Sequence, residues 1–307
     1  MDSTRKRILV TGATGFIGQR LVRRLAEIGA ESWAGVYPGE ASERSADLPL
    51  QIERVSLDMR DAESVRQAVE DSAPDLVFHL AAVGVTDPTV DPSLALAVNA
   101  GGTVHLLEAL REQDVRRVVL VGTCYEYGAR EAIEGLDPFN AYAASKVAAW
   151  AFGRMYWRAH GLPVITARLF QVYGPGQPEH TLIPAAIRAA LAGEDFSMTP
   201  GEQERDFIYV ENVVAGLLAA AQAPEIEGQS LDLGSGVACP IRRVVEQVWQ
   251  LAGGTGQIRS GALPYRPGEV MRLVADADRT AQLIGWRATT SLEEGLYDTI
   301  RALQLET

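Results

Sequence analysis

Thr11-Gly12-Ala13-Thr14-Gly15-Phe16-Ile17-Gly18 follows the short apolar run Arg7-Ile8-Leu9-Val10 and leads into a helix-like stretch from Ile17 to Ile28. Glycines three apart let the chain turn tightly after a strand, let its backbone approach a pyrophosphate, and let the next helix pack close to the strand. The helix N-terminus behind the turn offers free N–H groups and the positive end of a dipole. No Lys-Ser/Thr follows Gly18, which excludes a nucleoside-triphosphate P-loop. Between a first strand and a first helix, this turn predicts a dinucleotide-phosphate site built from Gly12, Thr14, Gly15, Phe16, Ile17 and Gly18.

The pattern repeats beyond the turn. Apolar, β-branched runs recur at Ser32-Trp33-Ala34-Gly35-Val36, Leu76-Val77-Phe78-His79, Val118-Val119-Leu120-Val121 and Val164-Ile165-Thr166-Ala167-Arg168. Helix-like stretches separate them, among them Ala62 to Glu70, Pro92 to Arg111 and Tyr142 to His160. Strands alternating with helices need crossover connections, so the expected fold is α/β, a Rossmann-type doubly wound parallel sheet. The rhythm loosens at Tyr173-Gly174-Pro175-Gly176-Gln177-Pro178 and again at Leu263-Pro264-Tyr265-Arg266-Pro267-Gly268. A dinucleotide-binding domain is therefore expected over 1–173, with part of 205–235 returning to it, and 174–307 as mainly a smaller C-terminal α/β lobe. No flexible linker is evident, so the two should pack together with ligands at the carboxyl ends of the strands.

Composition limits the function classes. With 307 residues and 47% hydrophobic content the chain can bury a substantial core. A net charge of −12 argues against a nucleic-acid surface, so any phosphate site must be local. Two cysteines, Cys124 and Cys239, suggest neither a disulfide framework nor a thiolate metal site, and a reduced, cytoplasmic setting is expected. The four histidines lack ligand spacing, so no metal is expected. The N-terminus lacks a signal-peptide core, and no membrane-spanning run or membrane partner is expected.

The end of the second strand reads Gly35-Val36-Tyr37-Pro38-Gly39 and lacks the Asp or Glu that bonds the adenosine ribose of NAD. Its absence removes a charge that would repel a 2′-phosphate, and Arg44 lies near enough in sequence to pair with one or to be a solvated surface residue. NADP is therefore favoured, with NAD the alternative. Asp58 and Met59 follow the run Glu53-Arg54-Val55-Ser56-Leu57 and are candidates to touch the adenine. Asp58 is equally a candidate N-cap for the helix from Ala62.

Tyr142-Ala143-Ala144-Ser145-Lys146 sets a phenol and an ammonium one helical turn apart. A free phenol titrates near pH 10, and a neighbouring Lys with an oxidised nicotinamide is expected to lower that value. A shift of about three units corresponds to about 4 kcal/mol, the scale needed for an acid/base near neutrality. Thr123, at the carboxyl end of the Val118 strand, is placed to bond an oxygen whose charge changes as hydride moves.

Taken with Phe78-His79-Leu80-Ala81-Ala82, Asn99 before Gly102-Thr103, Thr123 to Gly128, Arg168 to Gln177 and Arg205-Asp206-Phe207-Ile208-Tyr209-Val210, the chain resembles the extended short-chain dehydrogenase/reductase family over nearly its whole length. It is most similar to the nucleotide-sugar 4-epimerases, 4-ketoreductases and 4,6-dehydratases. The resemblance implies Tyr142 as acid/base, Lys146 on the nicotinamide ribose, Thr123 on the sugar oxygen, Leu80, Ala81 and Ala82 along the cofactor, and Asn99 supporting the site through nearby backbone. As a lone residue Asn99 could equally be a helix cap.

The same resemblance implies a nucleoside-diphosphate sugar in the second lobe, with Arg205 and Arg266 as guanidinium forks for the diphosphate. Gln171 stands where the family usually carries Asn, and Cys124 and Tyr125 border the sugar. A homodimer through the helices near Asn99 and Tyr142 is implied as well.

Three chemistries share this machinery. In the 4,6-dehydratases that the chain resembles, a carboxylate stands one or two residues beyond the Thr, where this chain has Cys124 and Tyr125; Glu126, on a continuing strand, would point away, which leaves Cys124 as an unusual acid for that reaction. A 4-keto-6-deoxyhexose 4-reductase is favoured over a 4-epimerase by the missing ribose carboxylate and by the bulk of Tyr125 and Cys124. A dinucleotide-sensing protein without catalysis is the remaining alternative, although such proteins typically lose the Tyr or the Lys that this chain keeps.

Overall fold

The computed structural model describes residues 6–39, 47–87, 89–128, 135–266 and 268–306. Its central element is a seven-stranded sheet of β1 (Arg7–Thr11), β2 (Glu31–Val36), β3 (Glu53–Ser56), β4 (Leu76–His79), β5 (Arg117–Thr123), β6 (Val164–Leu169) and β7 (Ser230–Leu233). The strand order is β7-β6-β5-β4-β1-β2-β3. β1 runs parallel to β2 and β4, β2 to β3, and β4 to β5. The order reverses beside β1, the switch point at which a dinucleotide binds in such sheets. β4 is buried along its whole length, as a strand covered on both faces must be.

Helix α1 (Phe16–Glu27) turns Leu21, Val22 and Leu25 inward. α2 (Ala62–Ser72) is capped by Asp61, whose carboxylate accepts the Glu63 N–H at 3.0 Å. Asp58 is therefore not the cap: it lies one hydrogen-bonded turn too early. α3 (Pro92–Leu110) starts at an Asp91 cap with Pro92 in its first turn, becomes π-helical over Leu96–Gly101, and resumes as α-helix from Gly102. π-Helical turns inside α-helices are frequently found at functional sites. α4 (Ala141–His160) is capped by Asn140, which accepts the Ala143 N–H at 2.8 Å.

α3 is long and apolar enough, by length and composition, to cross a membrane. In the fold it packs against α2 and α4 and buries Asn99, Thr103, Leu106, Leu107 and Leu110. Its apolarity comes from facing a core.

The chain divides into two compact units. One comprises Met1–Glu126, Pro138–Arg168 and Leu217–Leu231, and holds the phosphate turn, α3 and α4. The other comprises Tyr127–Asp137, Leu169–Gly216 and Asp232–Thr307. In this second unit the strand Gln171–Tyr173 runs parallel to Phe207–Tyr209, and Glu204–Arg205 sits between Cys239–Pro240 and Arg272–Leu273.

Candidate active site

The phosphate turn is built on Gly12, whose φ of +67° is left-handed and whose Cβ would stand 2.6 Å from the Ala81 backbone nitrogen. Only glycine meets both conditions. The turn thereby lies directly against the predicted Leu80–Ala82 segment, and Thr11 Oγ1 accepts the Ala81 N–H at 3.1 Å. At the start of α1, Gly15 supplies no side-chain cap and the first turn has no acidic residue, so its N–H groups suit an anion. These features fit a dinucleotide diphosphate. Thr14 is buried, whereas Phe16 and Ile17 are half-buried in the first turn of α1.

At the adenosine end, Tyr37 follows β2 where a carboxylate was sought. Asp58, after β3, accepts Arg60 Nε at 3.0 Å and Nη2 at 2.8 Å, and Arg60 Nη2 also donates to Tyr37 Oη at 2.8 Å. The hydrogen bond from Arg60 holds the Asp58 carboxyl below its usual range. Arg60 was missed in sequence, although an Asp-x-Arg at a strand end was there to be read. Met59 turns its side chain into the core, where Gly102 leaves it room; a Cβ on Gly102 would stand 2.7 Å from Met59 Cβ. Arg44 lies outside the described residues.

Behind the turn runs a chain of hydrogen bonds whose directions follow from one another. Thr103 gives its hydroxyl proton to Asn99 O at 2.6 Å, so His79 Nε2 must donate to Thr103 Oγ1 at 3.0 Å. His79 Nδ1 is then an acceptor for the Thr11 hydroxyl at 2.7 Å. Burial, with the charge of Lys146 adding to it, pushes His79 down to about 3, so the ring is neutral.

Asn99, fully buried, accepts the Val83 N–H at 2.9 Å and donates to Val83 O at 3.0 Å and to Ser145 Oγ at 2.9 Å. It is not a helix cap; it lies inside the π-helical segment of α3. Ser145 in turn donates to Tyr142 O at 2.7 Å. One side chain thus ties the end of the cofactor-side segment to the helix that carries Tyr142.

The structure brings Thr123, Tyr142 and Lys146 together. All three are buried, and the Tyr142 and Thr123 side chains are hydrogen-bonded. Burial pulls Lys146 down to about 8, against the opposing Glu126 charge. The phenol departs from expectation: burial, then the charge of Glu126, raises it, and the Thr123 hydrogen bond only partly offsets them. The expected lowering by Lys146 is not among the influences on the phenol; desolvation and the nearby Glu126 anion penalise the phenolate more than the Thr123 hydrogen bond helps it.

Glu126 also departs from expectation. The chain leaves β5 at Thr123 and enters a 3₁₀ turn, Cys124–Tyr127, so Glu126 folds back instead of pointing away. Its Oε1 accepts the Thr123 N–H at 2.9 Å and its Oε2 accepts Arg168 Nε at 2.7 Å. Cys124 is buried, and Tyr125 meets Phe139 edge-on at 5.5 Å.

The remaining candidates lie in the second unit. Gln171 pairs with Phe207 in the two-stranded ladder, and its N–H donates to Asp206 O at 2.9 Å. Arg205 is buried and bonds Glu269 Oε1 at 2.7 Å and Glu204 O at 2.9 Å. Arg266 is exposed on a turn closed by the Glu269 N–H to Arg266 O bond, 3.0 Å. Glu269 was missed as the partner of Arg205 because 64 residues separate them.

Comparison with known proteins identifies the family. The model of the NAD dependent epimerase/dehydratase family matches residues 8–234. A UDP-glucose 4-epimerase of Mycolicibacterium smegmatis is 32% identical over 96% of this chain and 97% of its own. Among solved structures, a Thermotoga maritima UDP-glucose 4-epimerase with UDP-glucose superposes with a TM-score of 0.90 at 25% identity, covering 97% of this chain and 99% of that one. A Thermus thermophilus UDP-glucose 4-epimerase in complex with NAD gives 0.84 at 28% identity, with coverages of 97% and 99%. The chain belongs to the NAD-dependent epimerase/dehydratase family, a Rossmann-fold group of nicotinamide-dependent nucleotide-sugar enzymes within the extended short-chain dehydrogenases/reductases.

Proposed function

We propose that the protein reduces the C4 ketone of a nucleoside-diphosphate-linked 4-keto-6-deoxyhexose, using NADPH in preference to NADH. The observation that carries this reading is the end of β2, where Tyr37, hydrogen-bonded to Arg60, stands in place of the carboxylate that binds the ribose of NAD. Reducing a ketone needs a phenol that donates a proton, whereas oxidising C4 first needs the phenolate. Burial and the Glu126 charge favour the phenol.

In this reaction the bound dinucleotide supplies hydride. Gly12 to Gly18 and the first turn of α1 hold its diphosphate, Leu80 to Ala82 border it, and Lys146 bonds its ribose. Thr123 Oγ1 orients the C4 oxygen, and Tyr142 gives that oxygen its proton as negative charge develops there. Arg205, Arg266 and Gln171 bind the nucleoside diphosphate of the sugar. Dehydration is disfavoured because Cys124 and Tyr125 provide no carboxylate and Glu126 is already engaged by Arg168 and the Thr123 backbone. Tyr37 and the Arg60 beside it favour acceptance of a 2′-phosphate.

A second reading, 4-epimerisation with retained NAD, is supported by the epimerase relatives and by the relative crystallised with NAD. One experiment separates the two. Purified protein is mixed with NADPH or NADH and nucleotide-linked 4-keto-6-deoxy sugars, and separately with UDP-glucose alone. Stoichiometric cofactor oxidation with an alcohol product supports the reductase. Inversion at C4 without net cofactor turnover supports the epimerase and refutes the reductase.

A homodimer through α3 and α4 belongs to the same reading. Leu94, Leu96, Phe152 and Met155 are exposed apolar side chains on these helices. Light scattering should give twice the chain mass, and a monomer at micromolar concentration would contradict it.

A further inference from the structure

Glu126 and Arg168 form an ion pair whose side chains are 0% and 5% exposed, within the turn that follows the Thr123 hydroxyl. Stability is a poor reason for such a pair, since desolvating two charges commonly cancels their attraction. Its surroundings are built to admit it. A Cβ at Gly122 would strike Glu126 Oε1 and would stand 3.2 Å from Arg168 Cγ, so a side chain at 122 would displace the pair. The Arg168 guanidinium also lies 5.5 Å over the Trp150 ring, on the helix that carries Tyr142 and Lys146.

We propose that Glu126 and Arg168 are a positioning pair for the reaction: the carboxylate clamps the backbone N–H of Thr123 and fixes one negative charge beside Tyr142, while Arg168 holds that carboxylate and limits its charge. This rests on the reading that Tyr142 exchanges a proton with the substrate. Three titratable groups bear on the phenol, Glu126, Cys124 and Tyr125, all from the 3₁₀ turn, while Lys146, one turn along α4, feels the same Glu126 charge. Arg168, from β6, acts on Glu126, and His79, from β4, is neutral within the field of Lys146. The Glu126 charge opposes loss of the phenolic proton and favours the Lys146 ammonium.

The test compares Glu126→Gln, Arg168→Gln and the double variant. Without the anion, Tyr142 should lose its proton at lower pH, and the alkaline limb of kcat/KM for ketone reduction should move down by about one pH unit. Arg168→Gln leaves the anion uncompensated and should move the limb up. The double variant, with no charge left buried, should return it to within about 0.3 units of wild type.

A second readout does not need turnover: ¹³C NMR titration of ring-labelled Tyr142, assigned with Tyr142→Phe, in the complex with oxidised dinucleotide. It should reproduce the same signs. Should the single variants not fold, Glu126→Asp keeps the charge but draws the oxygen off the Thr123 N–H. Its kcat should fall roughly tenfold or more with KM and limb unchanged. Limbs that stay put, or that move in the same direction in both single variants, overturn the proposal, as does wild-type kcat in Glu126→Asp. If the wild-type protein reduces no ketone, the reductase reading fails while the NMR titration still decides the role of the pair.

Discussion

Replacing Asn99 by Asp changes one atom group and should cost more than its size suggests. The Asp side chain keeps an oxygen for the Val83 N–H, 2.9 Å away, but puts a second oxygen where Nδ2 now donates to Val83 O at 3.0 Å and to Ser145 Oγ at 2.9 Å. Two hydrogen bonds disappear, and the Val83 carbonyl faces an acceptor in a site without solvent. Losing a hydrogen bond costs about 1 kcal/mol net, and leaving a buried polar group unsatisfied costs roughly 1–3 kcal/mol. Ser145 can recover one bond by turning its hydroxyl from Tyr142 O to the new carboxylate. The expected loss is therefore about 2–5 kcal/mol, a large share of an ordinary domain's stability. Urea unfolding reads it directly. Because Val83 follows Leu80 to Ala82, dinucleotide affinity should fall in parallel. Unfolding within about 0.5 kcal/mol of wild type, with unchanged affinity, would refute the assigned role of Asn99.

Gly12→Ala should nearly abolish dinucleotide binding, measured by calorimetry, because it combines a left-handed backbone with a collision against the Ala81 nitrogen; wild-type affinity would contradict the turn geometry. His79 titrates near 3 in the folded chain against about 6.5 unfolded, so between these values only the unfolded chain takes up the proton and stability must fall as pH falls. Unfolding free energies at pH 4.5–6 should decline less steeply in His79→Gln, by up to about 1.4 kcal/mol per pH unit, and equal slopes would deny the neutral buried ring. Tyr37→Asp restores the ribose carboxylate and should shift the NADPH-to-NADH ratio of kcat/KM toward NADH by about tenfold or more; an unchanged ratio would remove Tyr37 from cofactor selection.

What could be read from the sequence was local. The phosphate turn was legible because three glycines, a strand and a helix fall within one short span, and each constrains the next. That Tyr142 and Lys146 share one helix face was legible from their spacing, and the nearness of Thr123 to the phenol from its place at a strand end. The rest depends on where the backbone bends. Glu126 could be placed only once the chain was seen to leave β5 for a 3₁₀ turn, which reverses the side-chain direction that a strand would impose. Asn99 remained ambiguous between cap and support because a π-helical segment leaves no clear periodic signature. The Arg205–Glu269 pair joins distant segments, and Asp58 stood evenly between an adenine contact and a cap that Asp61 provides one turn later. The apolarity of α3 reflects the core helices around it, which no single-segment composition discloses.

The central claim is that the Tyr142 phenol exchanges the proton while hydride reaches or leaves the sugar carbon. Single-turnover mixing of the Tyr142→Phe protein with reduced dinucleotide and a nucleotide-linked 4-keto sugar addresses it directly. Cofactor should bind as in wild type while hydride transfer slows by roughly 10²–10⁴-fold; hydride transfer at the wild-type rate would contradict the account.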